Sequence, residues 1–593
     1  MVQFLHFFRK NNRRKSGLKI LLVTFCCLLS SLSLMAQITT SAISGNISDG
    51  KNPISDAVVT IVHVPTGTHY YVFMNKNGNY VINDILVGGP YIVRVERLNY
   101  QPLIIEQVEA PIGETVMVDA VMVRSPKRIE EVTVFNDGER SSMNINRSGT
   151  GIIINSTEIE MLPSVSRTMY DVLRLTPQGV TTEAGVALGG ANYRGSYVTV
   201  DGASFNNAFG IGSSLPAGGT PISLECIDQI GAKLTPYNVK HSGFQGGAIN
   251  MVTKHGTNEW HGSVYNYFTS SNFQGKRVDD YWLTTSPTLN DILGFTVGGP
   301  IVKDKLFIFL NGEYTIDHEA GSLVEARTDE SQAFGGSTGF NRPTVAQMNE
   351  IQTFLENQFG YNPGRYQDYT VITPDFKAFA RLDWRIDDYN LFQIRVSHTH
   401  FTNSQAPASS FSPLGGTNIS LISDGTLYTV NRNNAGRNSQ FAMPFESARF
   451  YQNLNFTSVA AEINSHVLNG RANNLARVTW SLQDEPRSFV GGLFPTVDIL
   501  EPYTAADGST QLAMFTTFGP DPFTYGNQRR VNTITLTHRP FPGSLLPFEE
   551  PPDPHPVSKR IPARENAAIL LNFILIPDAS LLKQRIFLRN TPF

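Results

Sequence analysis

The chain has 593 residues, enough for several cores, with 17% charged residues and a formal net charge of -4. That balance argues against a polyanion partner, so no nucleic acid is expected. With 49 Gly, 37 Phe and 21 Tyr, the composition fits a β-rich chain better than a helical one.

The N-terminus carries Arg9-Lys10, Arg13-Arg14-Lys15 and Lys19, followed by the apolar run ILLVTFCCLLSSLSLMA. A basic region, an apolar region and a cut after Ala36 describe a signal peptide over residues 1–36. Residues 20–34 are short for a membrane span, and an uncleaved anchor is the alternative. Cys26 follows Phe25, a poor fit to a lipoprotein processing site. Without the leader only Cys226 remains, so no internal disulfide is expected, and a lone mid-chain cysteine reads as a small buried residue. No other run resembles a spanning helix, so a membrane location requires a closed barrel.

Residues 38–123 read as a small β-sandwich. Turn signals at Asp49-Gly50, Thr66-Gly67, Asn77-Gly78 and Gly89-Pro90 separate short β-rich runs. Val59, Ile61, Tyr91, Val93 and Val95 recur at period two, which puts them on core-facing sides of about seven strands. Gly45-x-Ile47 with Asp49, Ala57-x-Val59, Thr66-Gly67, Gly78-x-Tyr80 and Gly89-x-Tyr91 resemble the carboxypeptidase regulatory-like domain, a sandwich grouped with carbohydrate-binding-like folds. The resemblance names a fold, not a ligand. Tyr80 and Tyr91 read as packing residues, with sugar platforms as the alternative. His63 and His69 lack nearby ligand partners, so no metal site is expected.

Residues 124–254 begin with the charged connector RSPKRIEE and continue as VTVFNDGERSS, an extended piece suited to pairing with a sheet edge elsewhere. A helix follows, with Ser164 as cap, Val165, Met169, Val172 and Leu173 on one face, and Pro177 and Gly179 ending it. Tyr197 to Val200 alternate as a strand that Asp201-Gly202 turns. The Gly/Ser/Ala-rich loop 206–220 is either a surface loop or a ligand-facing one. Ile227 and Ile230 lie on a helix or strand face. Gly243, Gly246 and Gly247 allow a close crossing or positive φ before a strand at 249–253. Asp228, Lys240 and His241 follow no catalytic order.

The stretches RGSYVTVDGASFNN, ISLECIDQI and YNVKHSGFQGGAINMVTKHGTNEWHGS resemble the plug-to-barrel junction of TonB-dependent outer-membrane receptors, in particular the OmpA-related (Oar-like) group. They depart from the commoner siderophore-receptor form, which has an IEV-x-x-GP element where this chain has IDQIGAKLTPYNV. The resemblance implies a mainly β protein with an N-terminal sandwich, an α/β plug over 124–254, and the first part of a large transmembrane antiparallel barrel over 255–537. It implies that Glu131, Val132, Thr133 and Val134 form an energy-coupling box, for which an ordinary linker strand is the alternative. Arg194, Asp201, Gly202, Gly246 and Gly247 would hold the plug fold, and Phe205, Asn206 and Asn207 would line its ligand side.

Strands are expected at 259–268, 291–298, 305–314, 376–386, 390–400, 451–459, 474–482 and 530–536, joined by a hairpin within GGPIVKDKLFIF and a tight turn at Asp388-Tyr389. The interval 317–375 suits an extracellular loop. The family barrel has about twenty-two strands, and this chain shows only eight or nine. Seven prolines fall between Pro540 and Pro556, which argues against sheet there. The expectation is that the reading frame is lost near His538, that residues 538–593 are an atypical tail, and that the product does not form a working transporter.

The family implies a receptor that imports an unidentified chelate, glycan or peptide across outer-membrane lipid of a Gram-negative bacterium, driven by a TonB-type inner-membrane complex. No catalytic constellation, cofactor or metal is expected. The alternative is an envelope binding or adhesion protein without transport.

Overall fold

The computed structural model describes residues 39–124, 132–135, 572–575 and 151–542, the last except 165–166, 177, 183, 235–242, 276, 280, 283–287, 337, 409–417, 424–425, 432–435, 468–471, 505–507, 522–523 and 525.

The first unit contains β1 (Ser41–Ser48), β2 (Val58–His63), β3 (Thr68–Phe73), β4 (Asn79–Ile85), β5 (Gly88–Glu96), β6 (Leu103–Ala110), β7 (Thr115–Met117) and β8 (Ala120–Val121), and β9 (Val132–Phe135) joins it. One sheet runs β4-β1-β7, with β8 also on β1, and the other β3-β2-β5-β6-β9. The period-two expectation holds: Val59, Ile61, Tyr91, Val93 and Val95 are all fully buried in one apolar core. Both tyrosine rings are core. Tyr80 Oη donates to Val118 O at 2.8 Å and Tyr91 Oη to Leu86 O at 2.7 Å, so each buried hydroxyl is satisfied. Gly89-Pro90, expected in a turn, instead opens β5, a position where proline's missing N–H does no harm.

The second unit contains β10 (Gly151–Asn155), α1 (Ser156–Met161), α2 (Met169–Leu173), β11 (Gly179–Thr182), β12 (Gly185–Leu188), β13 (Tyr197–Val200), β14 (Ala203–Ser204), β15 (Ile227–Leu234) and β16 (Gly247–Thr253). Its sheet runs β10-β15-β16-β13-β14, with β13 parallel to β16. Two helix starts differ from expectation. Asn155 and Glu158 form a capping box at α1, which sequence reading passed over. At α2 the cap is Thr168, boxed with Asp171, while Ser164 Oγ donates to Asp171 Oδ2 at 2.6 Å as a brace. Cys226 is buried in this core, and burial pushes its thiol pKa well up.

The remaining strands follow as β17 (His261–Ser270), the hairpin β18 (Arg277–Val278) and β19 (Tyr281–Trp282), β20 (Leu289–Val302), β21 (Leu306–Ala320), β22 (Glu325–Arg327), β23 (Phe340–Thr344), α3 (Val345–Phe359), β24 (Thr370–Arg385) and β25 (Asn390–Gln405). Then come β26 (Asn418–Ser423), β27 (Thr426–Asn431), β28 (Phe450–Val467), β29 (Ala472–Phe489), β30 (Val497–Thr504), β31 (Thr510–Phe518), β32 (Gln528–Pro542) and β33 (Asn572–Leu575). Nine of these form one wall in chain order, β17-β20-β21-β24-β25-β28-β29-β32-β33, with every neighbour antiparallel. All eight expected strands are present, but most are longer, up to 18 residues in β28 and β29. Their polar ends keep pairing beyond the apolar band that sequence periodicity detects.

Alternation in the wall is inverted relative to a soluble sheet. In β24, Phe379, Arg381 and Asp383 are buried, while the opposite parity leaves Ile372, Phe376 and Trp384 exposed. Val264, Leu293, Phe295, Val396, Val478 and Leu536 extend the outward apolar band. Polar residues inside and apolar residues outside are the pattern of a membrane barrel wall. The concave face packs on the second unit, since Phe309, Phe379 and Phe456 belong to the same apolar core as β13–β16. Proline does not end sheet at residue 540 as expected: β32 runs on to Pro542. Pro540 and Pro542 are two apart and so share one edge of β32, and β33 covers only Asn532 to Thr535 of that strand.

The connecting segments are not bare loops. α3 begins with a Thr344–Gln347 capping box and ends at Gly360 in the left-handed region (φ 62°). Met348, Leu355, Tyr366, Met443, Phe445, Phe515 and Phe518, from three successive long connections, make an apolar core of their own. The first unit docks on both others. Gln229 accepts from Ile112 N at 3.0 Å, Lys233 lies 3.5 Å from Glu114, and Val87, Ile112 and Val252 form a small apolar joint. Toward the wall, Asn464 and Asn473 donate to the carbonyls of Asp84 and Asn83, and Arg385 donates to Gly67 O.

Truncating Phe445, which is fully buried, to alanine is expected to cost the loop module about 3–5 kcal/mol. Limited proteolysis should then accelerate within 321–369, while the wall strands keep their protection. A pH effect is also expected in the sandwich. Burial, reinforced by His255, holds His63 well below the ordinary 6.5, with its Nδ1 2.7 Å from Thr66 Oγ1. The unfolded chain takes up that proton as pH falls through 6.5 and the folded chain does not, so stability is lost on acidification. Thermal unfolding at about pH 7.5 and about pH 5.5 should show this loss, and His63→Gln should reduce it.

Candidate functional site

The chemistry-bearing cluster lies where the turn after β13 meets the wall. β13 and β14 pair Val200 with Ala203, leaving Asp201 (φ 44°) and Gly202 (φ 73°) as a two-residue turn. Both φ values are positive, which Asp tolerates and Gly adopts freely. The Asp201 carboxylate accepts from Thr253 N at 2.9 Å and Thr253 Oγ1 at 2.8 Å, tying the turn to the end of β16.

Four neighbouring wall strands face this turn with charge. Arg381 on β24 and Arg395 on β25 are direct cross-strand partners, a like-charge pair that is unfavourable by itself. Asp201 lies between them, 3.1 Å from Arg395 Nε and 3.9 Å from Arg381 Nη1. Arg381 also forks onto Asp383 and donates from Nη1 to Thr253 O at 2.8 Å, and Arg395 Nη2 donates to Val200 O at 2.6 Å. One step further, Glu462 on β28 and Arg477 on β29 are cross-strand partners of opposite sign, with Arg477 Nε donating to Glu462 Oε2 at 2.6 Å. A Cβ at Gly202 would run into the Arg477 guanidinium, so a larger residue there would push that side chain out of its place against the turn. Arg477 Nη2 donates to Thr39 Oγ1 at 2.6 Å, so this one side chain touches all three units.

Three further polar contacts flank the cluster. Glu313 pairs with its cross-strand neighbour Lys377 at 2.6 Å and accepts from Ser223 Oγ at 2.5 Å and Tyr265 Oη at 3.0 Å. Arg167 pairs with Glu225 under the Tyr267 ring, and Gln483 Oε1 accepts from Ala208 N at 3.0 Å. Sequence reading missed Arg381, Arg395, Glu462, Arg477, Glu313 and Lys377. The signal was present as charged residues at alternate positions of spanning strands, but which parity faced inward was not assigned.

The residues singled out from sequence are dispersed. Arg194 is exposed, 3.5 Å from Gly212 O and stacked on Tyr193, away from Asp201. Gly246 and Gly247 meet β12, where added Cβ atoms would come within 2.2 Å of Leu188 O and 2.6 Å of Leu188 Cδ1. Phe205 does not line an open face; it is fully buried, edge-on to Phe456 at 5.0 Å and beneath Arg395. Asn206 bridges Val198 N and Ser196 O within its own unit, and Asn207 holds Phe209 N, Ile211 O and Ser213 O while its Oδ1 also accepts from Gln483 Nε2 of the wall at 3.2 Å. Glu131 lies outside the described residues, whereas Val132, Thr133 and Val134 form most of β9, parallel to β6 in the register Leu103↔Val132, Ile104↔Thr133 and Ile105↔Val134.

A compact unit locked by charge inside an outward-apolar strand wall narrows the identity, and sequence comparisons agree. Residues 252–537 match the family model described as outer membrane beta barrel domain, and residues 42–123 match the carboxypeptidase regulatory-like domain. The TonB-dependent transporter Oar of Myxococcus xanthus is 27% identical over 286 residues, covering 45% of this chain and 26% of that protein. The chain carries an outer membrane beta barrel domain behind a carboxypeptidase regulatory-like domain, and the relatives it resembles are TonB-dependent outer-membrane receptors. A protein described as "Probable TonB-dependent siderophore receptor PirA", from Acinetobacter baumannii, is 34% identical over 94 residues, 16% of this chain and 11% of that protein. The match therefore spans about a quarter or less of these relatives' length. Among solved structures, the outer membrane transporter YddB of Escherichia coli gives a TM-score of 0.41 at 11% identity over 66% of this chain and 45% of that one. The ferric citrate transporter FecA gives 0.33 at 15% identity over 66% and 53%. In this receptor family the second unit is the plug and the nine strands are barrel wall.

Cys226, buried in the plug core, is a built-in reporter of plug opening. Asp201→Asn removes the carboxylate that lies between Arg381 and Arg395, at an expected cost of about 3–5 kcal/mol. Maleimide labelling of Cys226 should then begin at lower denaturant. Gly202→Ala should act in the same direction through its clash with Arg477. Gly275→Ala, whose methyl meets nothing within 4 Å, should leave labelling unchanged.

Proposed function

We propose that this chain serves an outer-membrane active-transport receptor in which ligand binds from outside and the plug rearranges to open a path. The observation that carries the reading is the plug turn Asp201-Gly202 seated on Arg381, Arg395 and Arg477 of the wall. A charge lock between two otherwise separate units is strong at rest and yields as a unit when one partner is displaced. The residues at this interface hold and release; none is arranged for bond chemistry on the ligand. In this reading residues 1–36 direct export and are removed. Glu131, Val132, Thr133 and Val134 form the box that a TonB-type inner-membrane complex engages. The ligand class spans chelates, glycans and peptides. PirA is described as a siderophore receptor and Oar as a transporter, and both descriptions support import as the task.

Replacing residues 131–134 with a Gly/Ser tract is the test. The variant should fractionate with outer membranes and bind ligand at the cell surface as before, when ferric chelates, oligosaccharides and peptides are screened on the full-length receptor. Energy-dependent accumulation should vanish. Accumulation that survives the replacement would rule out the coupling assignment.

A further inference from the structure

β9, the strand carrying Val132 to Phe135, has β6 as its only neighbour among the described residues, and no described strand pairs with its second edge. In a parallel pair, successive residues turn their N–H and C=O groups to opposite edges, so half of the four-residue strand addresses the sandwich and half faces away. An unpaired strand edge accepts an added strand through main-chain hydrogen bonds. The strand beneath it is equally informative. The chain leaving β6 at Ala110 passes directly to Ile112 and Glu114, the residues that hold Gln229 and Lys233 of plug strand β15. Val87 and Ile112 add an apolar joint with Val252 of β16. The sandwich also rests on the wall, through Asn464 to Asp84 O, Arg385 to Gly67 O, the Arg539–Asp84 ion pair, Arg477 to Thr39 and the Tyr70–His466 ring contact, but none of these lies on the strand that carries β9. One continuous strand therefore has the coupling segment on its flank and the plug at its end.

We propose that the sandwich is the handle of the plug: the energy-coupling partner adds a strand to the second edge of β9 while β9 stays paired with β6, and the pull enters the plug through Ile112 and Glu114. This rests on the reading of Glu131, Val132, Thr133 and Val134 as the coupling box. The competing arrangement has β9 peel away from the sandwich to meet its partner, leaving the sandwich a passive neighbour.

The two arrangements separate on a cross-link. Glu106 and Phe135 are register partners and lie outside the box, so Glu106→Cys/Phe135→Cys in the full chain should form a disulfide under mild oxidation. Ile104→Cys/Phe135→Cys, two residues out of register, should do so far more slowly. Cys226 is buried and does not compete. Equal rates for the two pairs would mean β9 is not held in this register and would overturn the proposal. The probe for the second step is the purified periplasmic domain of a TonB-type protein from the same cells. Affinity equal within about twofold for the oxidised and reduced forms of the Glu106→Cys/Phe135→Cys chain is the expected result. Loss of binding on oxidation, restored by reductant, would show that β9 must leave the sandwich and would overturn the proposal. Binding to neither form, with the cross-link intact, would instead remove the coupling-box reading and the handle with it.

Discussion

Arg381 and Arg395 face one another across adjacent wall strands, and two guanidinium groups buried side by side are unstable without a counter-charge. Asp383 takes one fork of Arg381, and the carboxylate in contact with Arg395 is Asp201, which the plug supplies, with Glu462 of the wall acting from further off. Wall and plug are therefore energetically incomplete apart. Breaking such a buried pair costs about 3–5 kcal/mol, a large share of ordinary protein stability. The same arithmetic makes the pair suitable for a gate, since a few charged contacts hold the plug and their loss releases it cooperatively.

Arg477 extends that dependence to the third unit. Its guanidinium pairs with Glu462 in the wall, seats Gly202 of the plug, and reaches Thr39 at the start of the sandwich. The sandwich is thereby fixed beside the plug rather than left on a free tether. The outer connections follow a different rule. α3 and its neighbours pack on Met348, Phe445 and Phe515, an apolar core separate from the one that holds the plug. A ligand-side rearrangement of that module need not disturb the charge lock, because the two share no core residue.

Legibility in the sequence followed the range of the interactions. Val59, Ile61 and Val93 announced the sandwich because strand alternation is a local property, and Asp201-Gly202 announced its turn because positive φ restricts residue choice locally. Thr168 was overlooked as the α2 cap because Ser164 offered the same hydroxyl four residues earlier, and only the Asp171 geometry separates them. Phe205 read as a ligand-side residue through the family resemblance of the stretch after the turn. Its burial against Phe456 depends on a strand some 250 residues away, which no local pattern reports. The Thr344–Gln347 box of α3 was readable in principle but lay in a stretch whose polarity suggested a loop.

Sequence alone determined the classes of element and their order: a sandwich, a plug with its turn, and long alternating strands of an outer-membrane wall. The strands and the turn rest on periodicity and on backbone restrictions that a few neighbouring residues express, while their reading as plug and outer-membrane wall rests on the family resemblance of the sequence. Tertiary structure decided what faces what. It set the inward parity of the wall, and so brought Arg381, Arg395, Glu462 and Arg477 to the plug turn. It also placed Val132 to Phe135 on the edge of β6. The physical reason is that charge compensation and strand pairing are satisfied between segments far apart in the chain, and a strand's alternation looks the same whichever of its faces is turned toward lipid.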